Sequence, residues 1–273
     1  MKNLTNFLKF LEKLINLNKR QRIIISCFLI TLGFMLTSQT ANVVYKRYYL
    51  IILLGIVTYI LSIWALREGM TKLKAIIVLI LPTLYCLSFT AFYFLFREIR
   101  WLTRLPAGLF LALSFYLLLL SQNVFNVAAI RSIPLYRAAI STSFIFTIAT
   151  AIFSFSVIFT FNLPFYLNGL LIAIISFPLF LQILWDVGME KLDSRIVVYS
   201  LVMSLVIGEF AIALSFWSVI PIVRSLLLAP IMYALMGIID EMMRAKLNRS
   251  TILEYSGVGL GLFLFVVIIT SLR

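Results

Sequence analysis

Histidine is absent from all 273 residues. With it go the commonest general base and a common metal ligand. Cysteine is nearly absent: Cys27 and Cys86 stand alone, with neither metal spacing nor a redox neighbour, and read as small apolar packing residues. No H-E-x-x-H, G-x-S-x-G, Walker A or Cys-rich metal motif occurs. Acidic residues number 10 against 23 Lys and Arg, and charged residues of both signs make up 12% of the chain. That is about half the share usual in soluble domains. These shortages leave no soluble-enzyme pattern, and no cofactor or metal is expected.

What is present is apolar. Hydrophobic residues make up 63% and the mean hydropathy is +1.10. Runs of about 20 apolar residues, separated by charged clusters, predict membrane spans. They fall near 23–41, 48–66, 74–96, 106–128, 138–161, 166–185, 196–217, 220–239 and 254–272. Stretches such as IIISCFLITLGF do not alternate, so they suit helices and not barrel strands. The expected fold is all-α: a polytopic transmembrane helical bundle of about nine spans. Eight is the alternative count, because the eighth run holds Pro221, Arg224 and Pro230. Residues 1–22 form a separate element, with Leu4, Phe7, Leu8, Leu11, Leu14 and Ile15 at helical spacing against Lys2, Lys9 and Lys13. That pattern suits a cytoplasmic amphipathic helix lying in the interface, followed by a single transmembrane domain over 23–273. A cleaved signal peptide is the rival, but its basic region would be unusually long and no clean A-x-A site follows.

The net charge of +13 invites a nucleic-acid reading, and its distribution argues against one. With the N-terminus inside, only Lys46, Arg47, Arg97, Arg100, Arg104, Arg224 and Arg273 fall outside, so most of the 23 basic residues face inward. The positive-inside rule favours this orientation, with the C-terminus outside, although the three arginines at 97–104 oppose it. The expected partners are membrane lipids, anionic at the inner leaflet, and a protein partner or a second copy. Trp64, Trp101, Trp185 and Trp217 all fall at or just beyond span ends, where indoles prefer to sit.

Three groups of residues are candidate sites. The first is SQNVFNVAAIRSIPLYRAA, residues 121–139. Gln122, Asn123 and Asn126 occupy the last turns of the fourth span, where amides must find partners. Arg131, Tyr136 and Arg137 flank Pro134 beyond it. The stretch reads as a polar helix end with a positive turn, as a lipid-headgroup site, or as a contact with a partner protein. The second is Glu209, about 12 Å below Trp217 at helical rise. A carboxylate at that depth should be paired, protonated or facing water. Arg224, early in the next helix, is the nearest partner by sequence. A lone protonated Glu209 bonded to another helix and an ion-coupling role are the alternatives. The third is the acidic set Asp186, Glu190, Asp240 and Glu241, which could hold Mg²⁺ against a lipid diphosphate if it clustered. GVGLG at 257–261 offers Gly257 and Gly261 as a small-xxx-small packing face.

At residues 121–139, at LPFYLNGLLIAIISFPLFLQILW (163–185) and at GEFAIALSFW (208–217), the chain resembles uncharacterised polytopic membrane proteins of candidate-phylum bacteria, over roughly 110–260. The resemblance implies a multi-pass protein of the bacterial cytoplasmic membrane and carries no catalytic residue. Three function classes stay open. They are a non-enzymatic scaffold or subunit of an envelope or export complex, a small transporter or lipid flippase using Glu209, and a lipid-phosphate-modifying enzyme.

Overall fold

A computed structural model describes residues 18–40, 44–68, 70, 72–95, 101–126, 133–188, 193–244 and 247–271. The described residues form ten helices: α1 Lys19–Thr40, α2 Val44–Leu66, α3 Lys72–Ile77, α4 Ile80–Tyr93, α5 Trp101–Asn126, α6 Ile133–Thr160, α7 Phe165–Gly188, α8 Ser194–Ser215, α9 Pro221–Met243 and α10 Arg249–Ser271. Nine segments among the described residues are long and apolar enough to cross a membrane, and no strand occurs among them. The expected helical bundle is therefore the fold. Pro221 sits in the first turn of α9, where no amide is needed, and the helix runs on through Pro230, so the doubtful eighth span is a full one. The expected interfacial helix, over residues 1–22, lies almost wholly outside the described residues.

Helix ends alternate along the chain. The end that carries Lys19 of α1, here the basal end, also collects the ends of α2, α5, α7 and α9 and the starts of α3, α6, α8 and α10. The third span is broken. α3 stops at Ile77, two turn residues follow, and α4 starts at Ile80. Pro82 sits in the first turn of the restarted helix, where its missing N–H costs no intrahelical bond.

The core gathers around α4. Phe89 packs on Phe34 of α1 at 5.7 Å between ring centroids and on Phe153 of α6 at 5.6 Å. Tyr85 meets Phe146 edge-on at 5.2 Å. Lipid tails are as apolar as these side chains, so close packing and hydrogen bonds hold the helices together, not exclusion from water. The Tyr85 hydroxyl donates to Ser114 of α5 at 2.8 Å, and Ser156 of α6 bonds Ser225 of α9 at 2.6 Å. α7 and α8 come closest at two glycines: a Cβ on Gly208 would stand 2.9 Å from the Gly169 carbonyl oxygen.

α10 is peripheral. It packs on α9, and Gly259 is its one buried position among the described residues. The contact uses Gly259, whose Cβ position lies 3.1 Å from the Pro230 carbonyl oxygen, and Gly237, against the Tyr255 ring. The expected Gly257–Gly261 face meets nothing within 4 Å. A spacing of i and i+4 marks one helix face, and here the glycine between them faces the neighbour instead.

Candidate functional site

The buried polar side chains of the basal end form three clusters. In the first, Arg22 of α1 is 2% exposed although it is basic. Its guanidinium donates to the Glu68 carboxylate just past α2, and Lys19 lies 3.8 Å from the same carboxylate. Asn126, at the last residue of α5, donates to the carbonyls of Leu66 at 2.5 Å and Glu68 at 2.7 Å. A helix C-terminus leaves its last carbonyls without intrahelical partners, and Asn126 satisfies that of Leu66 together with the Glu68 carbonyl just beyond α2.

The second cluster repairs the broken span. The Leu81 amide, orphaned by the start of α4, donates to Gln182 Oε1 of α7 at 2.7 Å. The Gln182 amide group donates in turn to Gln122 Oε1 of α5 at 3.2 Å. Both glutamines are buried. The chain α4–α7–α5 is thus linked by a run of hydrogen bonds inside the bundle.

The third cluster joins α6, α7 and α9. Asp186 is 1% exposed, and its Oδ2 accepts from Ser143 Oγ at 3.0 Å. Tyr136 donates its hydroxyl to the Asp186 backbone carbonyl. Asp240 of α9 lines the same small cavity and accepts two bonds from Arg244 Nε at 3.0 and 3.1 Å.

The residues read together at 121–139 therefore go to different places. Gln122 serves the broken span, Asn126 the end of α2, and Tyr136 the end of α7. Asn123 is half-buried, and Arg137 is exposed. Arg131 lies outside the described residues. A headgroup site built from the whole set would need these groups to face one ligand, and the hydroxyl and the two amides already face protein.

Glu209 and Arg224 are not brought together. Glu209 is exposed on α8, beside exposed Leu205 and Phe210. Arg224 lies over the Phe159 ring of α6, 5.7 Å from its centroid. The ion pairs among the described residues do not join the two. The antiparallel turn that makes α8 and α9 neighbours does not fix which faces meet, and here α9 turns Arg224 toward α6.

Of the acidic set, Asp186 and Asp240 share a cavity, Glu241 is half-buried, and Glu190 lies outside the described residues. Among the described residues no three His, Cys, Asp or Glu side chains form a metal-holding group.

Sequence reasoning missed Gln182, Ser143 and the Arg22–Glu68 pair. Gln182 had a signal: it is the one amide inside FPLFLQILW, and Pro82 announced an orphaned amide elsewhere. Arg22 had none, since a basic residue just before a span reads as an interfacial anchor.

Comparison with curated proteins and with solved structures finds no match. Residues 50–269 match a family described as protein of unknown function (DUF5656), a wider stretch than the 110–260 of the resemblance read from the sequence. The match takes in α3 to α9 whole and most of α2 and α10, and the chain belongs to the DUF5656 family.

Proposed function

We propose that the protein is a non-enzymatic subunit of a complex in a bacterial cytoplasmic membrane, with its basal end facing the cytoplasm. The observation that carries this reading is Glu209. It stands exposed on an otherwise apolar face of α8, six residues before the helix ends at Ser215, or about 9 Å along the axis. An acidic side chain facing hydrocarbon costs up to about 2.5–3.5 kcal/mol on insertion scales, the figure for the centre of a span. A polar group from a partner helix removes the cost. The periphery of α10 supports the same reading, because most of its surface, including Gly257 and Gly261, is free to meet another helix.

Transport with Glu209 as the coupling group calls for a cavity that joins Glu209, the α5 amides and the helix breaks. Asn126 is engaged with the end of α2 and Gln122 with Gln182, and Glu209 points outward from the bundle. Metal-assisted lipid chemistry calls for an acidic pocket open to a headgroup, whereas Asp186 is 1% exposed and shares with Asp240 a cavity of about 10 Å³.

The test is a photoreactive amino acid placed at position 209 in the full-length protein, illuminated in intact membranes. The subunit reading predicts a discrete protein adduct, to a partner or to a second copy. Adducts to lipid alone refute it.

A further inference from the structure

Between the basal ends of α6, α7 and α9 lies a cavity of about 10 Å³, lined by Ile140, Ser143, Phe144, Ile183, Asp186 and Asp240. Asp186 carries the argument. It is 1% exposed, its Oδ2 is held by Ser143, and its Oδ1 is buried with no hydrogen-bond partner. A buried carboxylate oxygen left in this way is costly, because nothing replaces the water it gave up.

The charge balance narrows the occupant. Asp240 has a counter-charge in Arg244, bound through both carboxylate oxygens. Asp186 has none among its hydrogen-bond partners, only a serine hydroxyl. One positive charge completes the site. The polar atoms that the lining side chains supply are all oxygens, hard donors suited to alkali and alkaline-earth ions. A divalent ion would overcompensate, because Asp186 is the one lining carboxylate without a counter-charge. The volume matches one dehydrated ion or at most one water, which needs about 10–15 Å³ by the same measure.

We infer that this cavity binds one monovalent cation of the size of Na⁺, held by Asp186, Asp240 and Ser143. The bound ion ties α7 to α6 and α9 at the point where Tyr136 already fixes the Asp186 backbone. It neutralises the buried carboxylate without a metal cluster of three acidic ligands.

The experiment is equilibrium binding of radiolabelled Na⁺ to the purified full-length protein in lipid nanodiscs, with choline chloride holding the ionic strength constant. The expected result is saturable binding of one ion per chain, displaced by unlabelled NaCl. Asp186→Asn should abolish it, because the amide is neutral and needs no counter-ion. Ser143→Ala, which removes one ligand and keeps both carboxylates, should weaken it about three- to tenfold, the worth of one polar contact. Wild-type protein that shows no saturable Na⁺ binding overturns the inference. So does folded Asp186→Asn protein that binds as the wild type does. If Asp186→Asn does not fold, undiminished binding by Ser143→Ala overturns it in the same way.

Discussion

Replacing Gln182 with leucine tests how the broken third span is held. Gln182 Oε1 is the acceptor for the Leu81 amide at 2.7 Å, in a position 1% exposed. Leucine is close in size, so the substitution changes little packing and removes the acceptor. A buried donor that loses its partner costs about 1–3 kcal/mol. The second bond, from the Gln182 amide to Gln122, goes with it. Interhelical side-chain bonds in membranes average about 0.6 kcal/mol, so this adds a smaller amount. The expected loss for Gln182→Leu is therefore about 1.5–3.5 kcal/mol. Gln122→Leu leaves the Leu81 amide satisfied and takes the acceptor from the Gln182 amide group, but also removes the unpartnered Gln122 Nε2, so it should cost about 1 kcal/mol. The assay is reversible unfolding of the full-length protein in mixed micelles, followed by far-ultraviolet circular dichroism. A Pro82→Ala background sharpens it. Alanine restores an N–H at position 82 and lets α3 and α4 join, so the Leu81 amide can find a backbone carbonyl and the Gln182→Leu cost should fall by half or more. A Gln182→Leu loss under 0.5 kcal/mol, or the same loss with and without Pro82, refutes the capping role.

Other contacts give sharper local tests. Gly208→Val places side-chain atoms against a carbonyl oxygen that a Cβ alone would meet at 2.9 Å. It should cost about 1–3 kcal/mol by overpacking, read as the same unfolding free energy. Asn126→Ala strips two carbonyls at the end of α2 of their donor and should cost about 1–2 kcal/mol, with faster amide exchange confined to residues near Leu66. Gly257→Ala should not destabilise the isolated chain and should stabilise it by up to about 1 kcal/mol, since nothing lies within 4 Å, whereas Gly259→Val should loosen α10 from α9 and expose position 255 to a water-soluble thiol reagent after Tyr255→Cys substitution. Glu209→Leu should not destabilise the isolated chain, because it replaces an acidic group by an apolar one on an exposed apolar face.

The spans were legible because hydrophobic length is a one-dimensional property: about 20 apolar residues cross a bilayer wherever they point. The break near Pro82 and the run of α9 through Pro230 show where that reading ends. Both are prolines inside an apolar run, and only the neighbours decide the outcome. At Pro82 a glutamine from α7 accepts the freed amide, and the helix breaks. At Pro230 the helix continues, with Gly259 packed close to the carbonyl of that residue.

The polar residues were found by sequence more easily than their partners. Gln122, Asn126 and Tyr136 stood out because amides and hydroxyls are few beside long apolar runs. Their grouping into one stretch was a matter of chain order, and each bonds a residue 50 or more positions away. Asp186 and Asp240 were grouped on charge, and they do share a cavity. The serine that completes it, Ser143, looked like any other in STSFIFT. Glu209 stands out as an acidic residue within a long apolar helix, but the face it occupies depends on how α8 rotates against α7. The close approach of Gly169 and Gly208 fixes that rotation, and glycines 39 positions apart carry no local signal.

Native mass spectrometry of the full-length protein, released directly from its own membrane, tests the subunit reading most directly. The account predicts a species heavier than the 31.2 kDa chain by the mass of a second protein or a second copy. It predicts that Glu209→Leu returns the chain to 31.2 kDa plus lipid. A wild-type chain that flies alone, carrying only phospholipid, contradicts it.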